Sequence, residues 1–382
     1  KQNYAEDIQV SEGGPGPKED GKIAQWAKQK NYDLIFWNLP YLHITKDAKL
    51  LGPLEDAALI ETEGRDLFRL IVKKIDQNQL LSDSGIGLFL VGESKSTEHL
   101  VSTAAKSGFA CRITDTESFE DGEQIKIVAI WRPFAKAKKI HQPTVTSTST
   151  ELLSSNWPIG SSLSSDYQTK GHGRRGRRWD NAGEVFACSW KIGKSFEIQP
   201  NILQLICGFI VKQSLQQYNQ SPHSIQVIQK WPNDILLKQD DNVGKVCGVL
   251  IESISKGNVS ETVIGIGINL SKSENMPVYE MQASFADSLD KEIKRKILQS
   301  EIDCRLAGLF DESPNIPKAN LLALTKLAKK SINEGFTVPK NLLYRNENVS
   351  FHSVNSEGLV IVCDQKNQQI LCDDGESLKW NF

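Results

Sequence analysis

The stretch Gly171-His172-Gly173-Arg174-Arg175-Gly176-Arg177-Arg178-Trp179 constrains the chain more than any other. Its three glycines, four arginines and closing tryptophan suit neither a helix nor a strand. Glycine loses the most backbone freedom on ordering, and spaced glycines favour positive φ or a close backbone approach. Neighbouring guanidinium groups repel one another unless an anion sits among them. A loop that closes over a phosphate-bearing ligand satisfies both conditions, with backbone N–H groups and guanidinium forks aimed at phosphate oxygens. A solvated basic loop, or a basic patch of the nucleic-acid or nuclear-targeting kind, fits the composition equally well. The rest of the chain has to decide.

With 382 residues, of which 39% are hydrophobic and 24% charged, the sequence predicts a globular protein of two or three domains. A formal net charge of −2 makes the arginine cluster local chemistry and predicts no nucleic-acid partner. Seven widely spaced cysteines with no C-x-x-C pair predict free thiols in a reducing, cytoplasmic setting, with no zinc site and no certain metal ligand. No apolar run approaches the ~18 residues of a membrane span, so no membrane partner is expected. No signal peptide opens the chain, which starts at Lys1 with no Met before Met276 and reads as a fragment or a processed form.

The first third alternates. A mobile lead-in over 1–22 precedes a short helix over Lys22–Lys30. A buried strand is expected at Asp33–Trp37, a helix at Arg65–Ile75, a strand at Ile86–Val91, a helix at Glu98–Lys106 and a strand at Ile125–Trp131. This order predicts an open α/β sheet. The polar, basic run Ala135–Gln142 ahead of Pro143 reads as a linker, with His141 solvated in it.

Four signals follow. Ser147-Thr148-Ser149-Thr150 stands before a helix start, where an N-cap belongs, and Tyr167-Gln168 leads into the glycine–arginine loop. Lys230-Trp231-Pro232-Asn233-Asp234 separates the apolar runs Ile225–Ile228 and Ile235–Leu237, with Trp231 read as core. Lys245-Val246-Cys247-Gly248 opens the strand Val249–Ile254, and Asp234 on the neighbouring strand could fix the Lys245 ammonium. In Val263–Leu270, Gly265 and Gly267 bare one face of a strand so that a ligand can lie against backbone, and Asn269 closes that face. Helices are expected at Asn201–Tyr218, Lys291–Phe310 and Asn320–Asn333, the last stopped by Gly335. Short strands follow at Val349–Val354, Leu359–Cys363, Ile370–Cys372 and Ser377–Trp380.

In that order and spacing, the loop, Lys-Trp-Pro-Asn-Asp, Lys-x-x-Gly and Gly-x-Gly-x-Asn resemble the biotin protein ligases over about 144–382. The resemblance implies an α/β and α+β multidomain fold. Its parts are an α/β domain at 1–135, a class II aminoacyl-tRNA-synthetase-like ligase domain at 136–336, and a small SH3-like β-barrel at 337–382. It implies that biotin and Mg·ATP give biotinyl-5′-AMP, and that biotin then passes to a lysine of the biotin-carboxyl-carrier domains of carboxylases. A homodimer is a further expectation. Lys245 and Arg174 would be catalytic. Ser147, Thr148, Ser149, Gln168, Gly171, His172, Arg174, Lys245, Gly248 and Gly265 would hold biotin. Gly173, Arg174, Arg175, Gly176, Arg177, Trp179, Asn233, Asp234, Lys245 and Asn269 would hold ATP and adenylate, with the loop disordered when empty. His172 stands where many members have arginine. A silent biotin-binding protein, or a lipoate-type ligase, is the alternative; the alternating first domain disfavours the winged helix of a biotin-operon repressor.

A weaker resemblance covers 20–135. Asn38-Leu39-Pro40-Tyr41 after a strand, an acidic stretch (Glu55, Asp56, Glu61, Glu63), then Gly64-Arg65-Asp66-Leu67-Phe68 before a helix are similar to the second half of a class I S-adenosylmethionine-dependent N-methyltransferase. Leu39 replaces the first proline of the Asn-Pro-Pro-Tyr motif, and no glycine-rich cofactor turn precedes it. A domain without methyltransferase activity is therefore expected.

Overall fold

A computed structural model describes residues 30–40, 66–92, 95–120, 122–179, 184–193, 198–217, 225–256, 259–270 and 291–382. The helix expected at Lys22–Lys30, Tyr41 and the acidic stretch before Asp66 lie outside the described residues, apart from Lys30 itself. The chain divides into two units, one of 1–135 with 307–319, the other of 136–306 with 320–382.

In the first unit, strands β1 (Tyr32–Asn38), β2 (Leu81–Gly92), β3 (Ala110–Ser118) and β4 (Gln124–Trp131) form a sheet in the order β1-β2-β4-β3. β1 and β2 run parallel and the other pairs antiparallel. Helices α1 (Leu67–Gln77) and α2 (Thr97–Lys106) start where Asp66 and Ser96 accept the N–H groups of Arg69 and His99. Phe68, Ile71, Val72 and Ile75 of α1 and Leu100 and Ala104 of α2 share one core with Phe89, Val128 and Ile130 of the sheet. The buried strand expected at Asp33–Trp37 is corrected: β1 is an edge strand, with Leu34 54% and Phe36 77% exposed. β3 escaped the sequence reading because its second half is polar and exposed. The buried Arg112 guanidinium donates to the carbonyls of Gly308, Asp311 and Pro317 at 2.8–2.9 Å. The Asp311 carboxylate accepts from the Trp131 indole and the Phe134 N–H.

The second unit is built on a seven-stranded sheet in the order β5-β6-β7-β11-β10-β9-β8. Its strands are β5 (Lys139–Val145), β6 (Ser162–Gln168), β7 (Val185–Gly193), β8 (Ile225–Lys230), β9 (Asp234–Gln239), β10 (Asn242–Lys256) and β11 (Val259–Asn269). β5 and β6 are parallel. The second half of the supposed linker is therefore part of an edge strand, whose outward side chains are polar because one face meets water. His141 is half-buried there, 3.2 Å from the Ser164 hydroxyl and 3.3 Å from the Asp166 carboxylate. β6 is polar in sequence yet buried, since Ser162, Ser164 and Ser165 find hydrogen-bond partners.

Helices α3 (Thr148–Ser154), α4 (Pro200–Gln217), α5 (Lys291–Phe310) and α6 (Leu321–Gly335) complete the set. Gly335 does not stop α6 but lies within it, where a Cβ would come 2.4 Å from the Gln229 carbonyl; Phe336 is the cap. Phe336 stacks on Phe351 with centroids 4.2 Å apart and leans on Trp380. Both belong to a five-stranded antiparallel sheet, β15-β14-β13-β12-β16. Its strands are β12 (Asn341–Tyr344), β13 (Glu347–Val354), β14 (Val360–Cys363), β15 (Gln369–Leu371) and β16 (Leu378–Asn381). β12, unforeseen in the sequence, turns into β13 through positive-φ Arg345 and Asn346. The pairings leave the sheet open between β15 and β16 rather than closed as a barrel.

Candidate active site

Gly265, Gly267 and Asn269 fall on one face of β11, as their spacing requires. Gly265 lies opposite Ser189 of β7, and Gly267 lies between Ala187 and Gly248 of β10. The result is a floor of small residues at the centre of the sheet. α3 crosses it. Ser147 caps α3 by accepting the Thr150 N–H at 3.4 Å. Thr148 donates its N–H to the Gln168 amide oxygen at 2.8 Å, and its hydroxyl lies 2.8 Å from that of Ser189. Ser149 lies 2.9 Å from the same hydroxyl. Four buried polar side chains thus form one connected network, which holds its donors and acceptors at fixed points. A Cβ on Gly265 would come 2.6 Å from the Ser149 oxygen and displace that hydroxyl from the network. A Cβ on Gly171 would meet Gln168 at 3.0 Å.

The glycine–arginine loop folds into a tight turn beside this floor. Gly173 donates to the Arg177 carbonyl at 2.7 Å and Trp179 to that of Gly171 at 2.9 Å, with Arg175 at φ 57° and Gly176 at φ 71°. Trp179 lies flat over the floor, where a Cβ on Gly267 would sit 2.7 Å from the ring and one on Gly248 3.1 Å from it. The buried Trp179 indole nitrogen has no partner among the described residues. Lys245 stands 5.6 Å from the ring centroid, and Asp234 holds its ammonium at 2.8 Å. β10 starts at Asn242, so Lys245 is inside the strand, at a break in register with β9 rather than at its beginning. The Asn269 amide donates to the Lys245 carbonyl at 3.3 Å and that of Asn233 to the Val249 carbonyl at 3.2 Å, so both asparagines brace this irregular segment. Lys230 faces Asp234 across the β8–β9 hairpin, and burial lowers its pKa. Trp231 is core, as read, and donates to the Gly358 carbonyl at 3.0 Å.

Residues 139–269 match the biotin/lipoate A/B protein ligase family. Over that segment the chain is similar to that family. It is 30% identical over 202 residues to the bifunctional ligase/repressor BirA of Bacillus subtilis, a match covering 52% of this chain and 55% of that protein. It is 31% identical over 136 residues to BirA of Escherichia coli, covering 34% and 39% respectively. The chain spans about half or less of the length of these curated relatives. The solved biotin protein ligase from Aquifex aeolicus in complex with biotin and ATP aligns over 64% of this chain and 99% of its own, at 24% identity and TM-score 0.47.

The second unit draws the sequence-predicted residues into two adjoining groups. Ser147, Thr148, Ser149, Gln168, Gly171 and Gly265 surround the polar network, and Trp179, Asp234, Lys245 and Gly248 form the second. Ser189 and Gly267 belong with them and were not assigned from the sequence, although the alternate glycines signalled Gly267. The arginines separate. Arg175 pairs with Asp374 at 3.1 Å, Arg177 with Glu376, and among the described residues Arg174 makes no ion pair. His172, in the arginine position, lies 2.9 Å from Glu252, and that hydrogen bond raises the imidazole pKa. The buried Cys188, Cys207 and Cys247 have thiol pKa values raised by desolvation, so they pack rather than react.

Proposed function

We propose that the chain is an ATP-dependent biotin–protein ligase. A biotin carboxylate oxygen attacks the α-phosphorus of ATP and expels pyrophosphate, giving biotinyl-5′-AMP. The amine of a lysine on a biotin-carboxyl-carrier domain then attacks the acyl carbon, AMP leaves with the bonding pair, and the amine proton passes to water. The observation that carries this reading is the bare glycine floor joined to the Thr148–Ser149–Gln168–Ser189 network, with Lys245 fixed by Asp234 at its edge. Such a floor accepts the planar ureido ring of a folded bicycle, and the network offers both donors and acceptors to that ureido group.

Bringing a carboxylate to a polyphosphate joins like charges, so fixed cations must offset the charge of the transition state. Lys245 serves this role with Arg174, which makes no ion pair among the described residues. Trp179 offers a ring face to adenine, and Gly173 and Gly176 bring backbone close to phosphate. Asn233 and Asn269 act by holding the Lys245 segment. Magnesium enters as Mg·ATP: among the described residues no cluster of three or more His, Cys, Asp or Glu side chains could hold the ion by itself. The carrier domain is the proposed partner, and the buried free thiols suit a cytoplasmic setting. We read the seven-stranded unit as class II synthetase-like. The small C-terminal sheet, with its five short antiparallel strands, we read as an SH3-like module. The first unit is read as a methyltransferase-like domain without activity, in keeping with Leu39 buried at the end of β1.

The test supplies labelled biotin, Mg·ATP and a carrier domain to this chain, with biotin-dependent pyrophosphate exchange in parallel. Label on the carrier lysine is expected. Biotin binding without exchange would favour a silent binding protein instead.

A further inference from the structure

The turn between β15 and β16, Asp373-Asp374-Gly375-Glu376, touches the site at two places. Asp374 is held by its own turn, accepting the Glu376 N–H and the Ser377 hydroxyl, each at 3.0 Å. It pairs with Arg175 at 3.1 Å, while Glu376 lies 3.7 Å from Arg175 and pairs with Arg177. Between these carboxylates, Gly375 packs so closely on the Trp231–Pro232 peptide that a Cβ would meet Pro232 at 2.4 Å. That peptide leads directly into Asn233 and Asp234, which fix Lys245. One small turn therefore bears both on the arginine loop and on the segment that aims the lysine.

We propose that Asp374 and Glu376 are positioning residues for the ligand site. They hold Arg175 and Arg177, so that the loop is already folded with Arg174 unpaired and available to phosphate. The proposal rests on the ligase reading for its consequence, though not for the contact itself. Four adjacent arginines would otherwise splay apart by mutual repulsion and pay the ordering entropy of a glycine-rich loop when ligand binds. Two carboxylates from a preformed turn remove part of that repulsion in advance. The acceptors are fixed rather than flexible: Asp374 by its hydrogen bonds and Gly375 by its packing. The contacts are half-exposed, with Arg175 57% and Arg177 67% accessible, so each is weak and sensitive to salt.

The test compares Asp374→Asn with Glu376→Gln, singly and together, in the full chain, with Asp373→Asn as the control. Asp373 lies in the same turn but pairs with Tyr344 and Arg345, away from the loop. The first measurement is tryptic cleavage after Arg174–Arg178 without any ligand. The double variant should be cut about three- to ten-fold faster than the parent, the control should match the parent, and salt near ~0.5 M should bring the parent toward the double variant. The second is escape of biotinyl-adenylate, expected to quicken by a similar factor while biotin affinity stays unchanged. Equal cleavage of parent and double variant overturns the proposal, and so does equal adenylate retention. If the parent forms no adenylate, the ligase reading fails, and the cleavage measurement still decides whether the turn holds the loop.

Discussion

Lys245→Ala separates chemistry from folding. In the structure the ammonium makes a 2.8 Å contact with Asp234, one third of the lysine side chain is exposed, and it stands 5.6 Å from the Trp179 ring centroid. A pair with that exposure contributes about 1 kcal/mol or less, and the ring contact about 0.5–1 kcal/mol. The summed loss of roughly 2 kcal/mol lowers the melting temperature by a few degrees and leaves a domain of ordinary stability folded. The loss in rate should be far larger. If Lys245 offsets charge that exists only while the carboxylate joins phosphorus, adenylation should fall by about two to three powers of ten. Biotin affinity should change little, because the Thr148–Gln168 network does not involve Lys245. Pyrophosphate exchange at saturating biotin reads the first quantity and equilibrium biotin binding the second. Lys245→Arg should rescue poorly, since a planar fork cannot occupy the place of a point charge. An alanine variant that exchanges within about threefold of the parent would reduce Lys245 to a counter-ion for Asp234, and catalysis would then have to rest on Arg174.

Gly265→Ala should weaken biotin binding at an intact fold, because its Cβ drives Ser149 from 2.6 Å, at a cost of about 1–3 kcal/mol; unchanged affinity by titration would remove Gly265 from the pocket. The His172 pKa is raised by its bond to Glu252, so that pair contributes fully below the ordinary imidazole value and is lost as pH climbs through the raised one. Tryptic cleavage of the loop, scaled to a free arginine peptide, should therefore accelerate as pH rises above about 6.5, and His172→Gln should flatten that rise. Arg112→Ala strands three carbonyls in the first unit and should destabilise it by about 3 kcal/mol in a denaturant titration, with lysine a poor substitute.

The glycine floor was legible because Gly265, Gly267 and Asn269 are neighbours whose shared face follows from strand periodicity alone. Lys245 and Asp234 were legible for a related reason: a short connection between β9 and β10 forces the two strands together. β6 was missed because Ser162, Ser164 and Ser165 carry no apolar alternation; their burial is made possible by partners on other elements. The linker reading of Ala135–Gln142 failed at the same point. Lys139 looks solvated in sequence, and only the fold shows its ammonium 2.6 Å from the buried Asp303 carboxylate.

The arginine loop marks where reading from sequence ends. Its composition suits nearby anions but does not say whether they belong to a ligand or to the protein, since carboxylate and phosphate satisfy a guanidinium in the same way. Asp374 and Glu376 stand 199 residues from the arginines they meet, in a run that reads as an ordinary turn between strands. No periodicity links the two segments, because the contact is made by side chains at the tips of both. Once the pairing is known, the four arginines stop being equivalent. Arg175 and Arg177 already have their anions, and among the described residues Arg174 and Arg178 make no ion pair. Of the two left over, Arg178 is exposed and Arg174 half-buried in the turn, which makes Arg174, rather than the cluster as a whole, the residue to substitute first.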